Sequence, residues 1–195
     1  MEVQALTDFV RNITSWRSLA VQPINSTYRI EAGGFVTPQF VCRKLMRLIN
    51  FIANKQEAEA VCGLIDHEDR TEDWRDFLTS CRNFLNASCT SPLPNAICVA
   101  SRSTEAWVIA DIEKAAEIIT PKGDRPRQTK YRNVENISHP VELEVKKYWP
   151  DYKKTRHGAL FLKNIRPEIV IQHSESFADF VNAIESLSIR AIPRR

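Results

Sequence analysis

The sequence predicts a parallel α/β fold: a small sheet flanked by helices, followed by a helical C-terminal tail. Three observations carry that reading. Short Val/Ile-rich runs at 60–65 and 96–100 are bounded by turn and helix signals, as buried parallel strands are. Amphipathic helical segments alternate with the strand-like runs along the first 119 residues. The run at 60–65 ends abruptly in Asp66, Glu68 and Asp69, three carboxylates at the strand end where open α/β sheets bind ligands.

The elements follow in order. From Glu2 to Asn12 the spacing of Val3, Leu6, Phe9, Val10 and Ile13 predicts an amphipathic helix. Thr27–Ala32 alternates and stops at Gly33-Gly34, a strand and tight turn. Thr37-Pro38 starts a helix as N-cap and first-turn proline, and Phe40, Val41, Leu45, Leu48, Ile49 and Ile52 supply its apolar positions. The acidic strand 60–66 comes next, then a helix capped by Thr71 and carrying Trp74, Phe77, Leu78, Cys81 and Leu85. Ala96–Ala100 is a third strand, and Ser103 caps a helix running to Ile119. Residues 120–138 are polar and basic and read as a loop. Three tail helices are expected at about 139–149, 157–166 and 174–188. The organisation expected is an α/β domain at 1–119, a basic loop at 120–138 and a helical extension at 139–195.

Composition narrows the class. At 195 residues, 43% hydrophobic and 26% charged, the chain is ordinary for a globular protein. No run approaches the ~18 apolar residues of a membrane span, and a basic, apolar leader is lacking, so a cytoplasmic protein without a membrane partner is expected. Five cysteines without C-x-x-C spacing argue against a structural zinc site. Charge is uneven: residues 1–120 hold 12 Lys/Arg against 15 Asp/Glu, and residues 121–195 hold 15 against 9. An acidic half joined to a basic half suits metal chemistry on a polyanion, although basic stretches more often form solvated surface. Gly-x-Ser-x-Gly, P-loop and Gly-x-Gly-x-x-Gly motifs do not occur, which sets aside hydrolase-elbow, NTPase and dinucleotide readings.

Among the acids, Asp66, Glu68 and Asp69 read either as oxygen ligands for a divalent cation or as an acidic cap of the next helix. Glu105 reads as a further ligand or as a capping-box partner of Ser103. Asp111 reads as a surface ion pair. His67 is a weak candidate base. Lys153, Lys154, Arg156 and His157 form the densest basic cluster, either a phosphate clamp or a solvated turn.

Glu2-Val3-Gln4-Ala5-Leu6, Gly33-Gly34-Phe35, the strand ending in Asp66, Glu105-Ala106-Trp107 through Asp111, and Tyr152-Lys153-Lys154-Thr155-Arg156-His157-Gly158 fall in that order. Together they resemble an uncharacterised bacterial family related to the Toprim fold and often encoded beside ATPases in phage-defence loci. The likeness spans nearly the whole chain, through short motifs.

Members of that family begin with a strand ending in Glu-Gly-x-Thr-Glu. Met1 takes the Thr position and Glu2 the second Glu, so the strand and its first Glu are missing here. In Toprim enzymes that first Glu is catalytic and an Asp-x-Asp pair binds Mg²⁺. Asp66-x-Glu68 matches the pair, with Glu in place of the second Asp. The resemblance therefore implies Glu2, Asp66, Glu68 and Glu105 as the catalytic set. Of these, Asp66, Glu68 and Glu105 would hold Mg²⁺ or Mn²⁺, and Lys153, Lys154, Arg156 and His157 would bind phosphate.

Two functions follow from the resemblance. The first is a Toprim-like, metal-dependent nuclease or phosphoryl-transfer subunit of a defence system, acting on nucleic acid. The second is a non-catalytic partner of a neighbouring ATPase. Trp149, Phe161, Phe177 and Phe180 would be its anchors, although aromatics at helical spacing more often face inward. The opening helix with no strand before it carries an expectation too. The reading frame should continue upstream into a strand ending in Glu-Gly, and the chain without it should be inactive and self-associate through an open sheet edge.

Overall fold

Strands β1 (Val61–Asp66) and β2 (Asn95–Ala100) pair in parallel, Val61 opposite Asn95 and Asp66 opposite Ala100. The His67 N–H donates to the Ala100 carbonyl at 2.9 Å and extends the ladder by one rung. The computed structural model describes residues 9–10, 37–55, 58–67, 72–119 and 128–191. The expected strand at Thr27–Ala32, the Gly33-Gly34 turn, the helix at 2–12 apart from Phe9 and Val10, and Thr71 lie outside the described residues.

Eight helices surround the two strands among the described residues: α1 (Pro38–Lys55), α2 (Trp74–Ser88), α3 (Thr104–Ala110), α4 (Ile112–Ile119), α5 (Val141–Tyr148), α6 (Ala159–Asn164), α7 (Pro167–His173) and α8 (Glu175–Ala191). The architecture is broadly α/β and mostly helical.

β2 shows why both faces need cover. Its side chains alternate, and Ile97, Cys98, Val99 and Ala100 are all buried. Ile97 and Val99 join Val41 and Cys42 of α1 and Trp74, Phe77, Leu78, Cys81 and Leu85 of α2. Cys98 and Ala100 join a larger cluster with Trp107, Phe161, Phe177 and Phe180. The C-terminal helices therefore supply the second face of the sheet. Phe9 completes that cluster, its ring 5.7 Å from Trp107 and 5.9 Å from Phe180. Gly63 lets α1 approach β1: a Cβ there would lie 3.2 Å from a Leu45 methyl.

Several expectations change. Trp149, Phe161, Phe177 and Phe180 are buried, so they are core and not docking anchors. Phe40, expected on the apolar side of α1, is 46% exposed, because the helix buries Val41, Cys42, Ile49 and Ile52 instead. The N-cap of α2 is Asp73, whose side chain accepts from the Arg75 N–H.

The helix expected over 103–119 breaks at Asp111, where φ is −113° and ψ is 57°. Asp111 is 1% exposed, not on the surface. Its carboxylate accepts from the Arg166 backbone N–H at 2.8 Å and from its guanidinium at 2.6 Å, which fixes the start of α7 against the break. The tail holds one more helix than expected. Extended Arg166 precedes Pro167, which occupies the first turn of α7, and Ser174 separates α7 from α8.

Candidate functional site

Asp66 closes β1, and Thr104 opens α3 just after β2. Because the strands are adjacent and parallel, both residues lie at the same carboxyl edge of the sheet. The Thr104 N–H donates to Asp66 Oδ1 at 3.0 Å. Asp66 thus caps a helix, but it caps α3 across the sheet. Ser103, the N-cap by position, makes no side-chain capping bond.

The same bond sets Glu105, the next residue, at the strand edge. Glu105 is 6% exposed, and its Oε1 lies 2.9 Å from Lys154 Nζ. The capping-box role expected with Ser103 is replaced by this ion pair. Lys154 belongs to a π-helical turn, Lys154–Gly158, that leads into α6. Such turns are rare and recur at functional sites.

A cavity of about 10 Å³, enough for one water, lies between Thr104, Glu105, Val108, Lys154, Gly158 and Leu162. Thr104 Oγ1 and the Tyr152 hydroxyl are both buried and make no hydrogen bond with a described residue. Burial, followed by the nearby Glu105 charge, pushes the Tyr152 hydroxyl above its ordinary pKa, so it stays a proton donor.

A sequence profile for the domain of unknown function DUF4276 matches residues 4–185. The chain belongs to the DUF4276 family. No curated protein and no solved structure matches it.

The matched span of this DUF4276 protein contains Asp66, Glu105 and the basic segment. Of that segment, Lys154 is the residue paired with a site acid. Lys153 and Arg156 are exposed on the same turn. His157 Nδ1 accepts from the Lys153 N–H at 3.1 Å, and its ring packs against Tyr152. Burial, then the charges of Arg156 and Lys153, lowers the His157 pKa, in keeping with an acceptor nitrogen. His67 is buried edge-on against Phe77, their centroids 5.5 Å apart, and packs toward α2.

Glu2 and Glu68 lie outside the described residues. Among the described residues, no group of three His, Cys, Asp or Glu side chains could hold a metal ion. Asp66 and Glu105 fit a hard cation in kind, since a carboxylate offers about four lone-pair sites on two oxygens and can accept hydrogen bonds while ligating. Sequence reasoning did not single out Thr104 or Tyr152. The only signals were their positions, one beside Glu105 and the other opening the Tyr152–Gly158 segment.

Proposed function

We propose that this DUF4276 protein is a Toprim-like, divalent-metal-dependent nuclease or phosphoryl-transfer subunit that works in a bacterial defence system. One observation carries the reading: the Asp66–Thr104 bond brings two carboxylates, Asp66 and Glu105, to the carboxyl edge of a parallel sheet beside Lys154. Asp66, Glu105 and, by the family resemblance, Glu68 would hold Mg²⁺ or Mn²⁺. Bound there, the cation would offset charge on the scissile phosphate.

The chain's own residues have matching roles. The ammonium of Lys154 carries three N–H donors, so it can hold Glu105 and also donate to a phosphate oxygen. Thr104 Oγ1 and the Tyr152 hydroxyl offer donors beside Glu105 that fix a water or a ligand oxygen. Lys153 and Arg156 add positive charge on the same turn and would draw in a polyanion.

A competing reading, the non-catalytic partner of an ATPase, draws on one fact: Lys154 already neutralises Glu105. A cleavage assay separates the two. The full chain is incubated with its neighbouring ATPase, labelled DNA or RNA and Mg²⁺. The enzymatic reading expects metal-dependent cleavage that falls at least a hundredfold in Asp66→Ala. Co-purification of the two proteins with no cleavage of either nucleic acid would favour the partner reading.

A further inference from the structure

Helix α1 has a second face that the site does not use. Over its 18 residues it carries Arg43, Lys44, Arg47 and Lys55 and no Asp or Glu. The rest of residues 1–120 holds 8 Lys/Arg against 15 Asp/Glu, so the positive charge is concentrated on an otherwise acidic half. Arg43, Lys44 and Arg47 make no ion pair with a described residue. The charge of Arg43, Lys44 and Arg47 is therefore not spent on carboxylates of the described residues and suits an external anion.

Two aromatic rings share that face. Phe40 is 46% exposed and Phe51 is 43% exposed. They are eleven residues apart, which at 3.6 residues per turn brings them to within about 20° on the helix and about 16 Å apart along it. Lys44, Arg47 and Lys55 fall within about 60° of the same line. Lys44 Nζ lies 5.6 Å from the Phe40 centroid, and Lys55 Nζ lies 4.4 Å from that of Phe51. The exposed polar residues between and beyond the rings include Asn50 and Asn54. The opposite face is fully used: Val41 and Cys42 pack with Val99, and Ile49 and Ile52 pack with Val61. The Phe40 end of α1 therefore lies toward the carboxyl edge that holds Asp66, and the Phe51 end lies toward the start of the strand.

We infer that this face of α1 binds single-stranded nucleic acid, with Arg43, Lys44, Arg47 and Lys55 on phosphates and Phe40 and Phe51 stacking on bases. Spaced aromatic platforms along a positive track are what a strand of nucleic acid requires, since every base has a π-face. A lipid surface fits less well. Interfacial helices insert a continuous apolar face, and here that face is buried in the protein, leaving two part-exposed rings spaced along a row of cations. The inference deepens the nuclease reading by naming where the substrate strand runs as it leaves the site, and it rests on that reading only for the strand's destination.

The test uses the full chain in EDTA, so binding is read without metal chemistry. Fluorescence anisotropy follows a fluorescein-labelled oligo(dT) 15-mer at 25–200 mM KCl. Four phosphate contacts on a single strand give a log–log salt slope of about −3. Arg43→Ala/Lys44→Ala/Arg47→Ala should weaken binding at least tenfold and flatten the slope to about −1. Phe40→Ala/Phe51→Ala should weaken binding at least tenfold and leave the slope unchanged. All five side chains sit on the outer face of α1, so the melting temperatures should stay close to that of the parent chain.

No binding of the oligonucleotide by the parent chain overturns the inference. So does a triple variant that binds within twofold of the parent. Binding to phosphatidylserine vesicles without binding to oligo(dT) also overturns it and assigns the face to a membrane. Mg²⁺ titration of the same proteins keeps the two readings apart. Lost strand binding with metal binding intact removes the α1 surface alone, and the reverse removes the metal site alone.

Discussion

Glu105 and Asp111 lie six residues apart, one in the first turn of α3 and one at the break that ends it, and both are nearly excluded from solvent, yet they are held in opposite ways. Arg166 reaches Asp111 with its backbone N–H, its Nε and its Nη2, so both carboxylate oxygens are engaged. Glu144, a third buried carboxylate, is met by Lys130, Lys147 and His139. Glu105 has a single ion pair among the described residues, to a lysine whose side chain is 43% exposed. Beside it, Thr104 Oγ1 is buried and makes no hydrogen bond with a described residue. A saturated carboxylate joins elements. One with a single ionic partner among the described residues is what the proposed metal site would use.

The largest effect should follow from breaking the saturated kind. Asp111→Ala leaves Arg166 with Glu113, an exposed partner, and frees the start of α7, which should destabilise the fold by about 3 kcal/mol. That figure sits at the low end for a buried pair because Arg166 is about a third exposed and water screens part of its charge. Urea denaturation measures it. A loss under about 1 kcal/mol would reduce Asp111 to the surface pair that the sequence suggested.

Glu144 should write its pairing into the acid stability. Burial pushes its carboxyl up, but Lys130, Lys147 and His139 together outweigh burial and bring it down to about 2, below the ordinary 4.5. The folded pKa is below the unfolded one, so the stabilisation is complete above about pH 4.5. It is lost as the pH falls toward 2. The melting-temperature gap between the parent chain and Glu144→Gln should be wide at pH 7 and narrow at pH 3. A gap of equal size at both values would mean that the three cations do not hold the carboxylate down.

Glu105→Gln should be the mildest of the three for stability, within about 1 kcal/mol of the parent chain, because its partner is a half-exposed lysine. The same variant should nonetheless lose at least tenfold in Mn²⁺ affinity. A loss of stability as large as that of Asp111→Ala, with metal affinity unchanged, would place Glu105 among the joining carboxylates.

The contrast between these acids also marks where the sequence was legible. The parallel strands at Val61–Asp66 and Asn95–Ala100 were, because two short apolar runs of β-branched residues ending in turn signals have few other solutions. The position of Asp66 at a strand end followed directly from that. The break at Asp111 did not, since its cause is an arginine 55 residues away and local periodicity runs straight through it. The Glu105–Lys154 pair was legible only as two separate candidates, because its partners meet through tertiary packing across 49 positions. Phe40 misled for a different reason. Helical spacing marks apolar positions, but adjacent Val41 and Cys42 were the better fit to the β2 face, and only one side of a helix can be buried.

In the function proposed here, Asp66 and Glu105 hold a divalent cation at the carboxyl edge of the sheet. Isothermal titration of Mn²⁺ and Mg²⁺ into the full chain, into Asp66→Ala and into Asp66→Asn tests it most directly. The asparagine keeps an acceptor for the Thr104 N–H while removing the charge, so it separates metal ligation from the cap of α3. The parent chain should bind saturably, and both variants should bind at least tenfold more weakly. Unchanged affinity in Asp66→Asn, or no binding by the parent chain, would contradict it.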